Sequence, residues 1–102
     1  MGPGEQVAWA AGLFEGEGCF TISARYPRVK LNSTDEDVLR RFHDTVGVGQ
    51  VRVDDSLRGR GYKRQWEWYV GNREGVKVVI DLLWPWLGQR RRARAAQLLE
   101  AF

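Results

Sequence analysis

Apolar positions along the chain switch between two periodicities. Val7, Ala10, Ala11 and Phe14 recur at the spacing of one helix face. The spacing predicts a helix from about Glu5 to Gly16, after a Gly-Pro-Gly-Glu lead read as non-helical. Gly16 and Gly18 are read as its stop. From Cys19 to Arg25 the period falls to two: Phe20, Ile22 and Ala24 point one way, Thr21, Ser23 and Arg25 the other. Tyr26-Pro27 is read as a turn. A second strand then runs from Arg28 to Ser33, with Val29 and Leu31 inward and Arg28, Lys30 and Asn32 outward. Helical spacing returns at Val38, Leu39, Phe42 and Val46, capped by Ser33 or Thr34 and ended by Gly47. Two strands follow, Gln50 to Asp54 and Arg64 to Gly71, joined by a basic, glycine-containing loop. Their inward set is Val51, Val53, Trp66, Trp68 and Val70; their outward set is Gln50, Arg52, Asp54, Gln65, Glu67 and Tyr69. A third helix from Arg73 to Trp84 is broken by Pro85. A last short helix from Gly88 begins basic and ends apolar.

The order α-β-β-α-β-β-α(α) predicts an α+β fold: one four-stranded antiparallel sheet with helices packed on one face. A chain of 102 residues suffices for a single domain with one modest core, so residues 1–102 are read as one domain. Five tryptophans argue against disorder. One cysteine, Cys19, and one histidine, His43, exclude an internal disulfide and a zinc-type ligand set. His43 is read as a helix-surface residue, and Trp84 and Trp86 as core. No apolar run is long enough to span a membrane, and the N-terminal residues lack a signal-peptide layout. The expectation is a soluble intracellular protein without a membrane partner, placed in a microbial cytoplasm or nucleoid or in an organelle.

Charge adds a direction. The formal net charge is +3, and of sixteen basic residues only Lys30, Lys63 and Lys77 are lysine. Arginine suits phosphates and guanine edges. Basic residues cluster at Arg58, Arg60, Lys63 and Arg64 and again at Arg90, Arg91, Arg92 and Arg94. The uncovered sheet face would carry Thr21, Ser23, Arg25, Arg28, Lys30, Asn32, Gln50, Arg52, Gln65 and Tyr69. With the loop residues Arg58, Arg60 and Lys63, these are the candidate contacts to double-stranded DNA. A polar outer face is also what any half-buried sheet presents.

The first helix has no polar side chain from Val7 to Phe14. A helix apolar all round needs cover all round. Ala8, Gly12 and Gly16, four apart, form a smooth stripe flanked by Trp9 and Leu13. The stripe either packs under the chain's own second helix or meets its own copy across a two-fold axis. In the second case Glu17 and its twin lie side by side, and a divalent cation relieves their repulsion. Paired acids beneath a basic sheet suit metal-assisted hydrolysis of a phosphodiester. Glu15, two residues from Glu17, faces another way and is not its catalytic partner.

The segment Ala10 to Gly18, AAGLFEGEG, resembles the LAGLIDADG motif of homing endonucleases, and GLFEGEGCF is a common way of writing it. VGVGQV after the second helix and PWLGQRRRARAAQLLEAF near the end are also similar to single-motif members. The resemblance implies a homodimer, a saddle-shaped core over the DNA major groove, and cleavage of long, near-palindromic DNA sites in the service of intron mobility, with an intein origin as the other possibility. It implies that Glu17 is the metal-binding and catalytic acid, and that the Gly16 carbonyl faces the metal. It implies Mg²⁺ as cofactor, with Mn²⁺ as substitute. Arg90 falls at the family's basic residue near the scissile phosphate, with Arg91 one register away. Asp35 lies near a water-ordering position, where an acid is not the usual choice. Glu15 takes the position of the first motif acid, which supports helix structure. One departure is the short first hairpin, Cys19 to Thr34, which implies fewer base contacts on each side. The alternatives are a non-catalytic DNA-binding protein and an RNA maturase of the same fold.

Overall fold

The computed structural model describes residues 2–23, 26–54 and 64–102. Its elements are α1 (Pro3–Glu17), β1 (Gly18–Ser23), β2 (Tyr26–Ser33), α2 (Glu36–Val46), β3 (Gln50–Asp54), β4 (Gln65–Val70), α3 (Arg73–Leu83) and α4 (Gln89–Glu100), with a 3₁₀ turn at Trp84–Trp86 before α4. All strand pairs are antiparallel, in the order β1-β2-β4-β3, and the α+β class and element order are those expected. No helix among the described residues is long and apolar enough to cross a membrane.

The sheet register separates two faces. Phe20 opposes Val29, Val29 opposes Val70, Leu31 opposes Trp68 and Trp68 opposes Val51 on the side covered by helices. Thr21 opposes Arg28, Lys30 opposes Tyr69, Asn32 opposes Glu67 and Arg52 opposes Glu67 on the other. Under the covered face an aromatic chain joins four elements. Phe14 of α1 packs on Phe20 of β1 (ring centroids 4.9 Å apart) and on Phe42 of α2 (6.4 Å). Phe42 meets Trp68 of β4 edge-on at 4.8 Å. All four rings are buried. The Trp68 indole N–H donates to the Val48 carbonyl at 2.9 Å, so burial leaves no orphan donor there.

Two glycines make this packing possible. A Cβ on Gly18 would overlap the Phe14 ring, so the α1–β1 junction closes directly over that ring. Gly49 has φ +92° and lies against the Trp68 indole, a conformation and a spacing that only glycine meets.

Several sequence expectations are corrected. The Gly-Pro-Gly-Glu lead is not outside the helix: α1 begins at Pro3, where a missing N–H costs nothing because the first-turn N–H groups have no intrahelical partner. The helix runs on through Gly16, and Glu17 is its last residue. Tyr26-Pro27 is not a turn but the start of β2, and Pro27 pairs opposite Ile22. The N-cap of α2 is Asp35, preceded by a Ser33 hydroxyl that accepts the Asp35 N–H at 3.0 Å. His43 does lie at the helix surface, its side chain 37% exposed, but its Nε2 is also hydrogen-bonded to the Gly49 carbonyl at 3.0 Å, so it braces the turn into β3. Trp84 and Trp86 are not core. They are 37% and 51% exposed, and the Arg92 guanidinium lies 5.2 Å from the Trp84 ring centroid.

Candidate functional site

The site begins where α1 ends. Only Ala10, Ala11 and Phe14 of α1 are fully buried, and the apolar side chains around them, Val7, Ala8, Trp9 and Leu13, are only half covered. Gly12 and Gly16 are exposed, and a Cβ built on either meets nothing within 4 Å. The small-residue stripe therefore does not pack under α2. Ala8, Trp9 and Leu13 beside it are half-buried. Trp9 leans toward α2, where the Arg41 guanidinium stacks 3.8 Å from its ring centroid.

Glu17 is exposed at the foot of this open face. It lines a groove of about 600 Å³ with Leu13, Asn32, Ser33, Thr34, Asp35, Val38 and Gln65. Asn32 and Gln65 also belong to the polar sheet face, so the groove links the end of α1 to that face. Asp35 lines the same groove as Glu17. Glu15 points elsewhere: its carboxylate accepts the Gly88 N–H at 2.8 Å, at the start of α4.

The arginines of α4 divide the work. Arg91 donates from Nη1 to the Gly18 carbonyl at 2.7 Å and from Nη2 to the Glu15 carbonyl at 3.0 Å. Arg94 donates to the Phe20 carbonyl at 3.3 Å. Gly18 and Phe20 lie on β1, an edge strand, so arginines occupy two of its outward carbonyls. Arg90 is exposed and lines a second depression with Gly18, Cys19, Phe20, Arg91 and Arg94. Glu17 and Arg90 thus line separate depressions, which share no lining residue. Arg91 is spent on backbone carbonyls, whereas Arg90 is exposed.

On the polar sheet face, side chains bond to one another across strands. Asn32 Nδ2 donates to Asp54 at 3.0 Å, the Tyr69 hydroxyl donates to Gln50 at 2.9 Å, and Arg52 pairs with Glu67 at 2.8 Å. Thr21, Arg28, Lys30, Asn32, Gln50, Arg52, Gln65 and Tyr69 sit on this face as their alternation predicts, and Ser23 pairs with Tyr26 in register. Cys19 opposes Lys30 here too, and its place was readable from the same alternation. Arg25, Arg58, Arg60 and Lys63 lie outside the described residues.

No protein-family model matches the chain, and no curated protein matches it. Solved structures do. The chain is similar to the homing endonuclease I-CvuI in complex with DNA, at TM-score 0.75 and 21% identity over 96% of this chain and 66% of that one. It is similar to the group I intron-encoded homing endonuclease I-CeuI complexed with DNA, at TM-score 0.75 and 18% identity, over 92% of this chain and 52% of that one. A third is the homing endonuclease I-TnaI, at TM-score 0.70 and 19% identity over 96% of this chain and 69% of that one. The chain spans 66% of the length of I-CvuI and 52% of that of I-CeuI.

Proposed function

We propose that this chain, whose architecture is the LAGLIDADG homing-endonuclease fold, is one half of a symmetric, metal-dependent, site-specific DNA endonuclease. The observation that carries the reading is the position of Glu17. It closes an α1 whose glycine stripe is uncovered, and it opens onto a groove shared with the polar sheet face. A second copy laid against Ala8, Trp9, Gly12, Leu13 and Gly16 brings a second Glu17 to the two-fold axis. The two sheets then form one continuous surface for a duplex.

The donor set fits a hard cation. Among the described residues no cluster of three His, Cys, Asp or Glu side chains is present, so one chain does not offer a closed ligand cage by itself. Mg²⁺ is held by one or two carboxylates together with waters and substrate phosphates, and paired Glu17 side chains with the Gly16 carbonyls meet that demand. Mn²⁺ would substitute. When bound, the metal stabilises charge on the phosphate and assists the attacking water. The chain's own residues do the rest. Arg90 donates to a phosphate oxygen near the cut. Asp35, on the lining of the same groove, helps order water there. The sheet face fixes the register of the duplex through Arg28, Lys30 and the paired side chains beside them.

The test uses duplex DNA joined from the sequences that flank the gene, incubated with the purified chain and Mg²⁺. Double-strand cleavage at one position supports the reading. Tight binding without cleavage in Mg²⁺ or Mn²⁺ would favour a DNA-binding protein without catalysis. The first hairpin favours that second reading: β1 has six described residues, roughly 20 Å of reach along a groove.

A further inference from the structure

The polar sheet face holds one anomaly. Glu67 lies on it, opposite Asn32 and Arg52, yet its side chain is 8% exposed. A buried carboxylate requires a partner. Arg52 donates to the same Glu67 oxygen, Oε1, from Nη2 at 2.8 Å and from Nε at 3.2 Å. Its guanidinium carbon also sits 4.3 Å from the Tyr69 ring centroid, and Tyr69 is itself bonded to Gln50. The Arg52 side chain remains 51% exposed. It is therefore held by an acid at its side edge and an aromatic ring at its face, with its far edge toward solvent.

We infer that Glu67 is a positioning residue that presents Arg52 to one guanine in each half-site. The inference rests on the DNA-reading function proposed above and deepens it. The two hydrogen bonds to Glu67 use Nε and one Nη2 hydrogen. The end edge, Nη1 with the second Nη2 hydrogen, is the pair whose spacing matches guanine O6 and N7 in the major groove. A phosphate contact has no use for such a clamp: a neighbouring carboxylate weakens attraction to the backbone and fixes a group that gains from mobility. Base readout gains on both counts. The rotamer is ordered before binding, and the acid removes the non-specific pull that would mask sequence preference.

The experiment selects binding sites from a random duplex library with the full chain, by repeated gel shift and sequencing. The unaltered chain should enrich a guanine at one fixed position and at its inverted repeat. Arg52→Lys, a point charge without the bidentate fork, should lose that preference. Glu67→Gln, of the same shape but neutral, should weaken it about tenfold. Affinity for unrelated duplex should hold or rise up to about twofold. Should Glu67→Gln fail to fold by circular dichroism, Glu67→Asp retracts the carboxylate by one methylene and should weaken the same position. Full guanine preference in the folded Glu67 variant would overturn the inference while leaving DNA binding intact. Enrichment of no sequence by the unaltered chain would overturn both the inference and the function it rests on.

Discussion

Arg91 donates a hydrogen bond to the backbone carbonyl of Glu15 at 3.0 Å, while the Glu15 carboxylate accepts the Gly88 N–H at 2.8 Å just before Arg91 in the chain. Each helix completes the other. α1 has no basic residue in its last turn and α4 no acidic residue in its first. The cation that α1 lacks comes from α4, and the anion that α4 lacks comes from α1. Glu15 thus serves the architecture: it anchors the end of α1 that carries Glu17.

This clamp sets an order of stability losses. Glu15→Ala removes an exposed cap and should cost about 1 kcal/mol. Arg91→Met strands two carbonyls near the core and should cost about 2–3 kcal/mol. Urea unfolding curves of the two variants measure both. Equal losses, or a negligible loss at Arg91, would show that the clamp contributes little.

Gly12 makes a prediction of opposite signs. A Cβ there meets nothing within the chain, so Gly12→Ala should stabilise the isolated subunit by about 1 kcal/mol through helix propensity. If α1 meets its own copy along the glycine stripe, the same methyl forces two backbones apart. Self-association should then fall at least about tenfold, a loss of about 1.4 kcal/mol. Sedimentation equilibrium reads the second effect, and thermal unfolding at low concentration reads the first. A stabilised chain with unchanged self-association would place the interface elsewhere.

Glu17 is exposed, so Glu17→Gln should leave stability within about 0.5 kcal/mol. Loss of the carboxylate should lower cleavage in Mg²⁺ by at least about a hundredfold, in keeping with several kcal/mol of metal assistance. Duplex binding in Ca²⁺ should persist. Cleavage that survives the substitution would remove Glu17 from the metal site.

Much of this molecule was legible in its sequence, for reasons that differ by element. The sheet face could be read because alternation leaves no choice: once Val29 and Leu31 are buried, Arg28, Lys30 and Asn32 must point away. The α1 stripe could be read because glycine inside a helix is unfavourable without a packing use. Periodicity does not carry pairing between distant residues. Nothing in the spacing showed that Arg91 would close on Glu15 and Gly18, or that Glu67 would be buried by Arg52 on an otherwise open face. The Pro3 helix start was missed because Gly-Pro-Gly composition outweighed the tolerance of proline at a first helical position. Trp84 and Trp86 were misplaced for a related reason. Their hydrophobicity suggests core, but the 3₁₀ turn between α3 and α4 turns both rings outward.

Arg28 and Lys30 supply the last test, because they share the sheet face with Arg52 but not its clamp. Both lie on β2, opposite Thr21 and Cys19 in β1, and among the described residues neither has an acidic partner directly across the sheet. Unclamped cations suit phosphates, whose charge does not vary with sequence. Arg28→Gln and Lys30→Gln should therefore weaken binding to every duplex alike. Each should reduce the slope of log affinity against log salt by about 1. Arg52→Lys keeps its charge and should leave that slope unchanged while altering base preference. Titrations over a range of KCl concentrations, with a selected site and an unrelated duplex in parallel, separate the two behaviours. A slope unchanged by loss of Arg28 and Lys30 would mean that the duplex does not lie across this face, and the orientation of the whole complex would have to be redrawn.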